Sequence, residues 1–229
     1  MDWESFNRRL IACRKCPRLV AWREAASLSK RKAHAANSYW ARPVPGFGDC
    51  RARIVAVGLA PGAHGSNRTG RQFTGDASGR FLYPALHRAS LANQAESTSR
   101  EDGLRLIGLY LTAACRCAPP KNKPAPLELS NCRPYLEREL ASLDPDVVVC
   151  LGRIAFDAVL RVYGLRPSAL AFAHGAAYRI PEADGQGELW LVCSYHPSQQ
   201  NTHTGRLTPE MFDKIWHLSR ELAYHGRKL

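Results

Sequence analysis

Asp76 and His196 lie far apart in the chain, yet each sits in surroundings where a carboxylate and an imidazole can do chemistry. Asp76 belongs to Gly58-Leu59-Ala60-Pro61-Gly62-Ala63-His64-Gly65-Ser66-Asn67-Arg68-Thr69-Gly70-Arg71-Gln72-Phe73-Thr74-Gly75-Asp76-Ala77-Ser78-Gly79, a stretch rich in glycine, hydroxyls, amides and guanidinium groups. Its glycines let the backbone come close to a ligand, while Arg68, Arg71 and the hydroxyls supply donors. One ring, Phe73, and one carboxylate, Asp76, inside that polar frame predict a pocket that stacks something flat and acts on it. Asp76 also has a plainer reading, as a carboxylate at a helix start where the dipole favours it. His196 opens His196-Pro197-Ser198 directly after an apolar run, and in that setting an imidazole points to function rather than to the core.

A second group of residues reads as metal chemistry. Cys13 and Cys16 form a C-x-x-C pair, and Cys117 and Cys132 bracket a proline-rich segment. Four thiolates make a complete ligand set for zinc or for a four-iron cluster, and spacing does not choose between them. Cys115 is the rival to Cys117. Cys115, Cys150 and Cys193 nevertheless occupy strand positions where a small buried hydrophobe serves, and Cys50 is not expected to be a ligand.

The elements that must position these groups follow from periodicity. Arg53 to Val57, Leu106 to Ala114, Val147 to Leu151 and Leu189 to Cys193 are short apolar runs of the kind found in strands buried on both faces. Helical spacing appears at Trp3, Phe6 and Leu10, over about Arg18 to Ala26, and after Ser78, which can cap a helix carrying Phe81, Leu82 and Leu86. It recurs from Leu129 to Leu143, from Gly152 to about Tyr163, and after Thr208-Pro209, a strong helix start. Ser27 to Asp49 reads as a surface loop whose Lys30-Arg31-Lys32 either touches phosphate or is solvated. Strands alternating with helices predict an α/β fold, a parallel sheet covered on both faces. In such sheets ligands bind beyond the carboxyl ends of the strands, where the three unusual loops fall.

The chain has 229 residues and a formal charge of +12, with a sequence pI near 9.6. That size suits a single domain over 1–229, and the charge favours a polyanionic partner. No apolar run approaches the roughly eighteen residues of a membrane span, and the N-terminus lacks a basic-then-apolar pattern. A cytoplasmic protein is expected, in which the eight cysteines stay reduced.

Taken together, Gly58-Leu59-Ala60-Pro61-Gly62 with Phe73-Thr74-Gly75-Asp76, and His196-Pro197-Ser198 with Asn201-Thr202-x-Thr204-Gly205-Arg206-Leu207-Thr208-Pro209, resemble the paired motifs of uracil-DNA glycosylases. The cysteines resemble the iron-sulfur branch of that superfamily, and the wording of both loops is similar to family 5, the UDGb type. The resemblance implies a three-layer α/β/α fold with a central four-stranded parallel sheet, and hydrolysis of the N-glycosidic bond of uracil, and of other deaminated bases such as hypoxanthine, in DNA, the opening step of base excision repair. It implies a 4Fe-4S cluster on Cys13, Cys16, Cys117 and Cys132, with residues 1–26 and 115–132 forming its site, in a monomer near the nucleoid. Sister families carry an ionisable or amide group where Leu59 or Ala60 stands here, and neither residue can handle a proton. Asp76 is the replacement that the sequence offers. Ala113 stands where several sister families read the uracil edge with an Asn, so the pocket is expected to discriminate less.

On this reading Asp76 and His196 are catalytic. The base is held by the backbone around Gly62 and Ala63, by His64, by stacking on Phe73 and by Asn122, the last being otherwise a turn residue. Ser66, Arg68, Arg71 and Ser198 lie near phosphates, and Arg206 or Leu207 fills the space left by the extruded base. Leu207 has an alternative fate as a staple on the last helix. The alternative from another class is a non-catalytic nucleic-acid-binding module with a structural metal. A nucleotide site is disfavoured, because the Gly-rich loop contains neither G-x-x-x-x-G-K-[ST] nor G-x-G-x-x-G.

Overall fold

The computed structural model describes residues 1–182, 185 and 187–225. Two N-terminal helices, α1 (Trp3–Ile11) and α2 (Pro17–Leu28), lead through a loop to β1 (Phe47–Gly48) and β2 (Ile54–Gly58). The Gly-rich stretch contains one helical turn, α3 (Ser66–Thr69), before α4 (Ala77–Arg88) and β3 (Leu109–Ala113). Then come α5 (Pro126–Leu143), β4 (Val147–Leu151), α6 (Arg153–Val162), β5 (Ala177–Pro181), β6 (Glu188–Ser194), α7 (Gln199–His203) and α8 (Pro209–His225).

The sheet corrects the expected four strands. Among the described residues it has six, in the order β1-β3-β2-β4-β6-β5. The middle four are parallel and coincide with the four apolar runs, whereas β1 pairs antiparallel with β3, and β5 with β6. Both edge strands lack the signal that marks the inner four. β1 is two residues long inside a Pro/Gly-rich segment, and β5 is largely exposed and ends on Pro181, as an edge strand tolerates.

Alternation along the inner strands builds two cores. Ile54, Ala56, Val147 and Val149 face Leu82, Leu86, Phe212 and Trp216 of α4 and α8. Val55, Val57, Val148 and Cys150 face Leu136, Leu140, Phe156 and Val159 of α5 and α6. The result is the three-layer arrangement, with every parallel strand opening its carboxyl end onto one rim. Ser78 does not cap α4. The cap is Asp76, whose Oδ1 accepts from the Gly79 N–H at 3.1 Å. Among the described residues no helix is long and apolar enough to cross a membrane.

Candidate active site

β2 ends at Gly58, and there the chain must leave room for a ring. A Cβ at Gly58 would lie 2.6 Å from Phe73 Cζ, so the missing side chain lets Phe73 lie across the strand end. Phe73 is held at φ 52°, a region that bulky residues avoid, and its neighbours impose that conformation. The Tyr83 hydroxyl donates to the Gln72 carbonyl at 2.6 Å, and Arg71 Nε donates to Thr74 Oγ1 at 2.9 Å. A strained aromatic fixed on both sides is a pre-formed floor.

Opposite it stands His196, delivered by β6, its ring centroid 6.0 Å from that of Phe73 and tilted by 33°. The His196 carbonyl accepts from Asn201 Nδ2 and from the Ser198 N–H, both at 2.8 Å, which fixes the backbone that carries the imidazole. Burial pushes His196 down to about 4, so the ring is neutral at physiological pH and keeps one N–H to donate.

Asp76 proves to be both a cap and a cavity wall. While Oδ1 serves the helix, Oδ2 turns toward Gly62 and Gly65; a Cβ at Gly62 would lie 2.9 Å from it, and one at Gly65 would overlap it. Burial raises its pKa, opposed by the Gly79 and Ser78 N–H groups and by Arg80 and Arg68.

These residues line one cavity of about 760 Å³ at the sheet rim, together with Gly62, Ala63, His64, Ser66, Asn122 and Ser198. His64 Nδ1 lies 3.0 Å from the Tyr39 hydroxyl, and burial, followed by Arg31, His34 and Arg68, lowers its pKa. Asn122 is exposed at the cavity mouth with φ 54°, and Ser198 caps α7. Arg31, His34 and Lys121 also line the cavity and were not among the expected site residues. The basic run around Arg31 was their one signal.

Three expected phosphate or wedge residues behave otherwise. Arg71 is 4% exposed and forks onto Asp102, with Nη1 to Oδ1 at 2.8 Å and Nη2 to Oδ2 at 2.6 Å, so it is committed inward and cannot meet phosphate. Leu207 is 1% exposed in the core beneath α8, the fate of a staple and not of a wedge. Arg68 is half-buried and spends Nε on the His64 carbonyl at 2.9 Å and Nη2 on the Gly75 carbonyl at 3.1 Å. Arg206 is exposed, its guanidinium 4.5 Å from the centroid of Tyr195.

Behind this cavity Cys13, Cys16, Cys117 and Cys132 line a second, narrow one between α1, α2 and α5. Cys115 does not line it; fully buried alongside, its thiol points to the Cys117 carbonyl at 3.5 Å. Among the described residues no three His, Cys, Asp or Glu side chains converge as a metal-binding group. The donor set nevertheless suits a thiolate-held centre. Burial pushes Cys117 up to about 12, so thiolates there need cationic compensation, and a buried guanidinium, that of Arg23, donates to Cys117 Sγ at 2.9 Å.

A parallel sheet whose carboxyl rim brings an aromatic ring, a neutral imidazole and a half-buried carboxylate onto one cavity defines an α/β protein with a ligand site beyond its strand ends. The chain belongs to the Uracil DNA glycosylase superfamily, whose profile matches residues 45–219. It is 58% identical over 224 residues to the Type-5 uracil-DNA glycosylase of Thermus thermophilus, covering 97% of this chain and 99% of that protein. The Type-5 uracil-DNA glycosylase of Pyrobaculum aerophilum is 45% identical, over 93% of this chain and 90% of its own. A Type-4 uracil-DNA glycosylase of Archaeoglobus fulgidus is 32% identical, over 83% and 79%.

Proposed function

We propose that this protein is a monofunctional DNA glycosylase that hydrolyses the N-glycosidic bond of uracil in DNA and so opens base excision repair. The observation that carries the reading is the meeting of Phe73, His196 and Asp76 on one cavity in a chain of this family. Hypoxanthine and other deaminated bases are further substrates, because Ala113 at the cavity wall offers no amide to read the uracil edge. The protein works as a monomer in the cytoplasm, against the nucleoid.

Extruding a nucleotide from the stack costs a few kcal/mol, less at a mispair. The net charge of +12 favours the encounter, and Arg206, Ser198 and the cations at the cavity mouth hold the backbone beside the lesion. The base stacks on Phe73, with Asn122 and the backbone around Gly62 and Ala63 at its edge and His64 at the cavity lip. C–N cleavage sends the bonding electron pair to the base and leaves positive character on the sugar. His196, neutral and hydrogen-bonded through its own backbone, donates to the oxyanion developing on the base. Asp76 Oδ2 orients water toward the sugar or offsets its charge, a duty that Leu59 and Ala60 cannot perform.

Cys13, Cys16, Cys117 and Cys132 would hold a 4Fe-4S cluster, which supplies a cross-link between residues 1–26 and 115–132 and no step of the hydrolysis. Purified protein should be brown and contain iron and acid-labile sulfide; stoichiometric zinc in a colourless protein overturns the cluster. For the activity, a duplex carrying one uracil should yield an abasic site and free base. Binding of that duplex without abasic-site formation would instead identify a non-catalytic binding module.

A further inference from the structure

Leu19, Val20, Arg23 and Ala26 form the buried face of α2, and Arg23 is 2% exposed. Among the described residues no carboxylate forms an ion pair with it. Its neighbour Arg116 is buried too, but grips Glu139 with both terminal nitrogens. Arg23 instead points Nη1 at Cys117 Sγ, 2.9 Å away, and both terminal nitrogens at the Cys13 carbonyl at 3.4 Å, while its Nε is buried without a partner. A guanidinium buried without an anion is unfavourable, so this geometry calls for negative charge on the sulfur side.

The same residue reaches the other cavity through its main chain. Asn67, fully buried in α3, donates from Nδ2 to the Arg23 carbonyl at 3.2 Å and to the Ala63 carbonyl at 3.3 Å. Ala63 lines the base cavity. A continuous chain thus runs Cys117, Arg23, Asn67, Ala63.

We propose that Arg23 is a positioning residue that couples the cysteine centre to the base cavity. Its guanidinium compensates the charge of the cluster at Cys117, and its carbonyl, through Asn67, sets the backbone on which the base rests. The inference rests on the cluster assignment made above. An N–H donated to a ligating sulfur stabilises the reduced state and slows loss of the metal.

Wild type, Arg23→Gln, Arg23→Lys and Asn67→Ala should be compared for iron and sulfide content, reduction potential, rate of bleaching by an iron chelator, and single-turnover kcat and KM on a uracil duplex. Arg23→Gln should shift the potential to more negative values and bleach several-fold faster. Arg23→Lys, which keeps the charge, should recover part of the potential while still bleaching faster than wild type. Asn67→Ala should leave the potential at the wild-type value and lower kcat several-fold with little change in KM. A loaded Arg23→Gln protein with wild-type potential and bleaching rate, or an Asn67→Ala protein with wild-type kcat, overturns the coupling alone. If the Arg23→Gln variant purifies colourless, wild-type bleaching by Arg23→Lys overturns it equally. Wild-type protein without iron and sulfide would instead sink the cluster assignment on which the coupling stands.

Discussion

The loops that follow β2 and β6 face each other across the base cavity, and they are built in opposite ways. The β2 loop turns its side chains inward, onto itself and onto the segments beside it: Arg71 onto Thr74 and onto Asp102 of the segment before β3, Arg68 onto the His64 and Gly75 carbonyls, Asp76 onto α4. The β6 loop bonds Ser198, Asn201, Thr202 and Thr204 within itself, with Asn201 Nδ2 on the His196 carbonyl and the Leu207 N–H on the Asn201 carbonyl at 3.0 Å, but leaves Gln199, Gln200 and Arg206 exposed. The same residue type therefore means different things on the two sides. Polar side chains of the β2 loop hold a wall in shape, whereas Gln199, Gln200 and Arg206 of the β6 loop remain available to a partner.

The largest expected effect removes the imidazole that the β6 loop turns toward the base cavity. His196→Ala should lower single-turnover uracil release by about 10²–10³-fold, the scale of losing one donor to a developing oxyanion. Duplex binding and visible colour should persist. Unchanged release would break the comparison, because the β6 loop would then contribute contacts and no chemistry.

Next in size is the tie that closes the β2 loop. Burial alone would raise Asp102, but Arg71 and the N–H groups of Thr98, Leu104 and Ser99 overcome it and hold the carboxyl well below the usual carboxylate range. Arg71→Met leaves Asp102 unpaired and should cost about 3 kcal/mol of stability, measured by urea unfolding. The sign follows from linkage: a depressed folded pKa stabilises above the unfolded value and is lost as pH falls through it. Wild type should therefore shed this contribution below about pH 4, and the variant should lose less over that range. Equal acid sensitivity of the two proteins would show that the loop does not depend on this tie.

A smaller loss is expected from Asp76→Asn. Asn caps a helix about as well as Asp, so stability should hold while release falls by about 10–100-fold. In wild type, the rate should decline on acidification through a value above the ordinary carboxylate range, as the raised pKa of Asp76 requires. No inflection should appear near pH 6.5, because His196 is already neutral down to about 4. Wild-type rates for the Asn variant would move the water-orienting duty elsewhere on the rim.

These effects follow what the residue types alone could and could not reveal. The four inner strands were legible because burial on both faces demands unbroken apolar runs, and β1 and β5 were not, because edge positions impose no such demand. Phe73, Asp76 and His196 were legible as odd residues in their surroundings. Arg71 was misread as a phosphate contact because its partner, Asp102, lies in a polar segment with no periodicity to place it. Leu207 was readable either as a wedge or as a staple, and packing against Phe212 and Trp216 in one core decides for the staple. Cys115 and Cys117 both lie just past the end of β3, two residues apart, and the cavity separates the thiol that lines it from the one that does not.

The smallest expected effect tests the outward-facing side of the comparison. With Leu207 buried, Arg206 is the exposed member of the pair, and its guanidinium rests on Tyr195, the residue before His196. A cation parked on a ring keeps its charge and gives up little to leave, since such contacts at exposed sites are worth about 0.5–1 kcal/mol. On DNA it can exchange the ring for a phosphate. Arg206→Ala should therefore weaken duplex binding only a few-fold at moderate salt and reduce the slope of log K against log salt by about one unit. Release of uracil from saturating duplex should stay near the wild-type rate, because no atom of Arg206 lines the base cavity. A large loss of single-turnover rate with an unchanged salt slope would reverse the assignment: Arg206 would then act through Tyr195 on the placement of His196, and the β6 loop would be as inward-directed as the β2 loop.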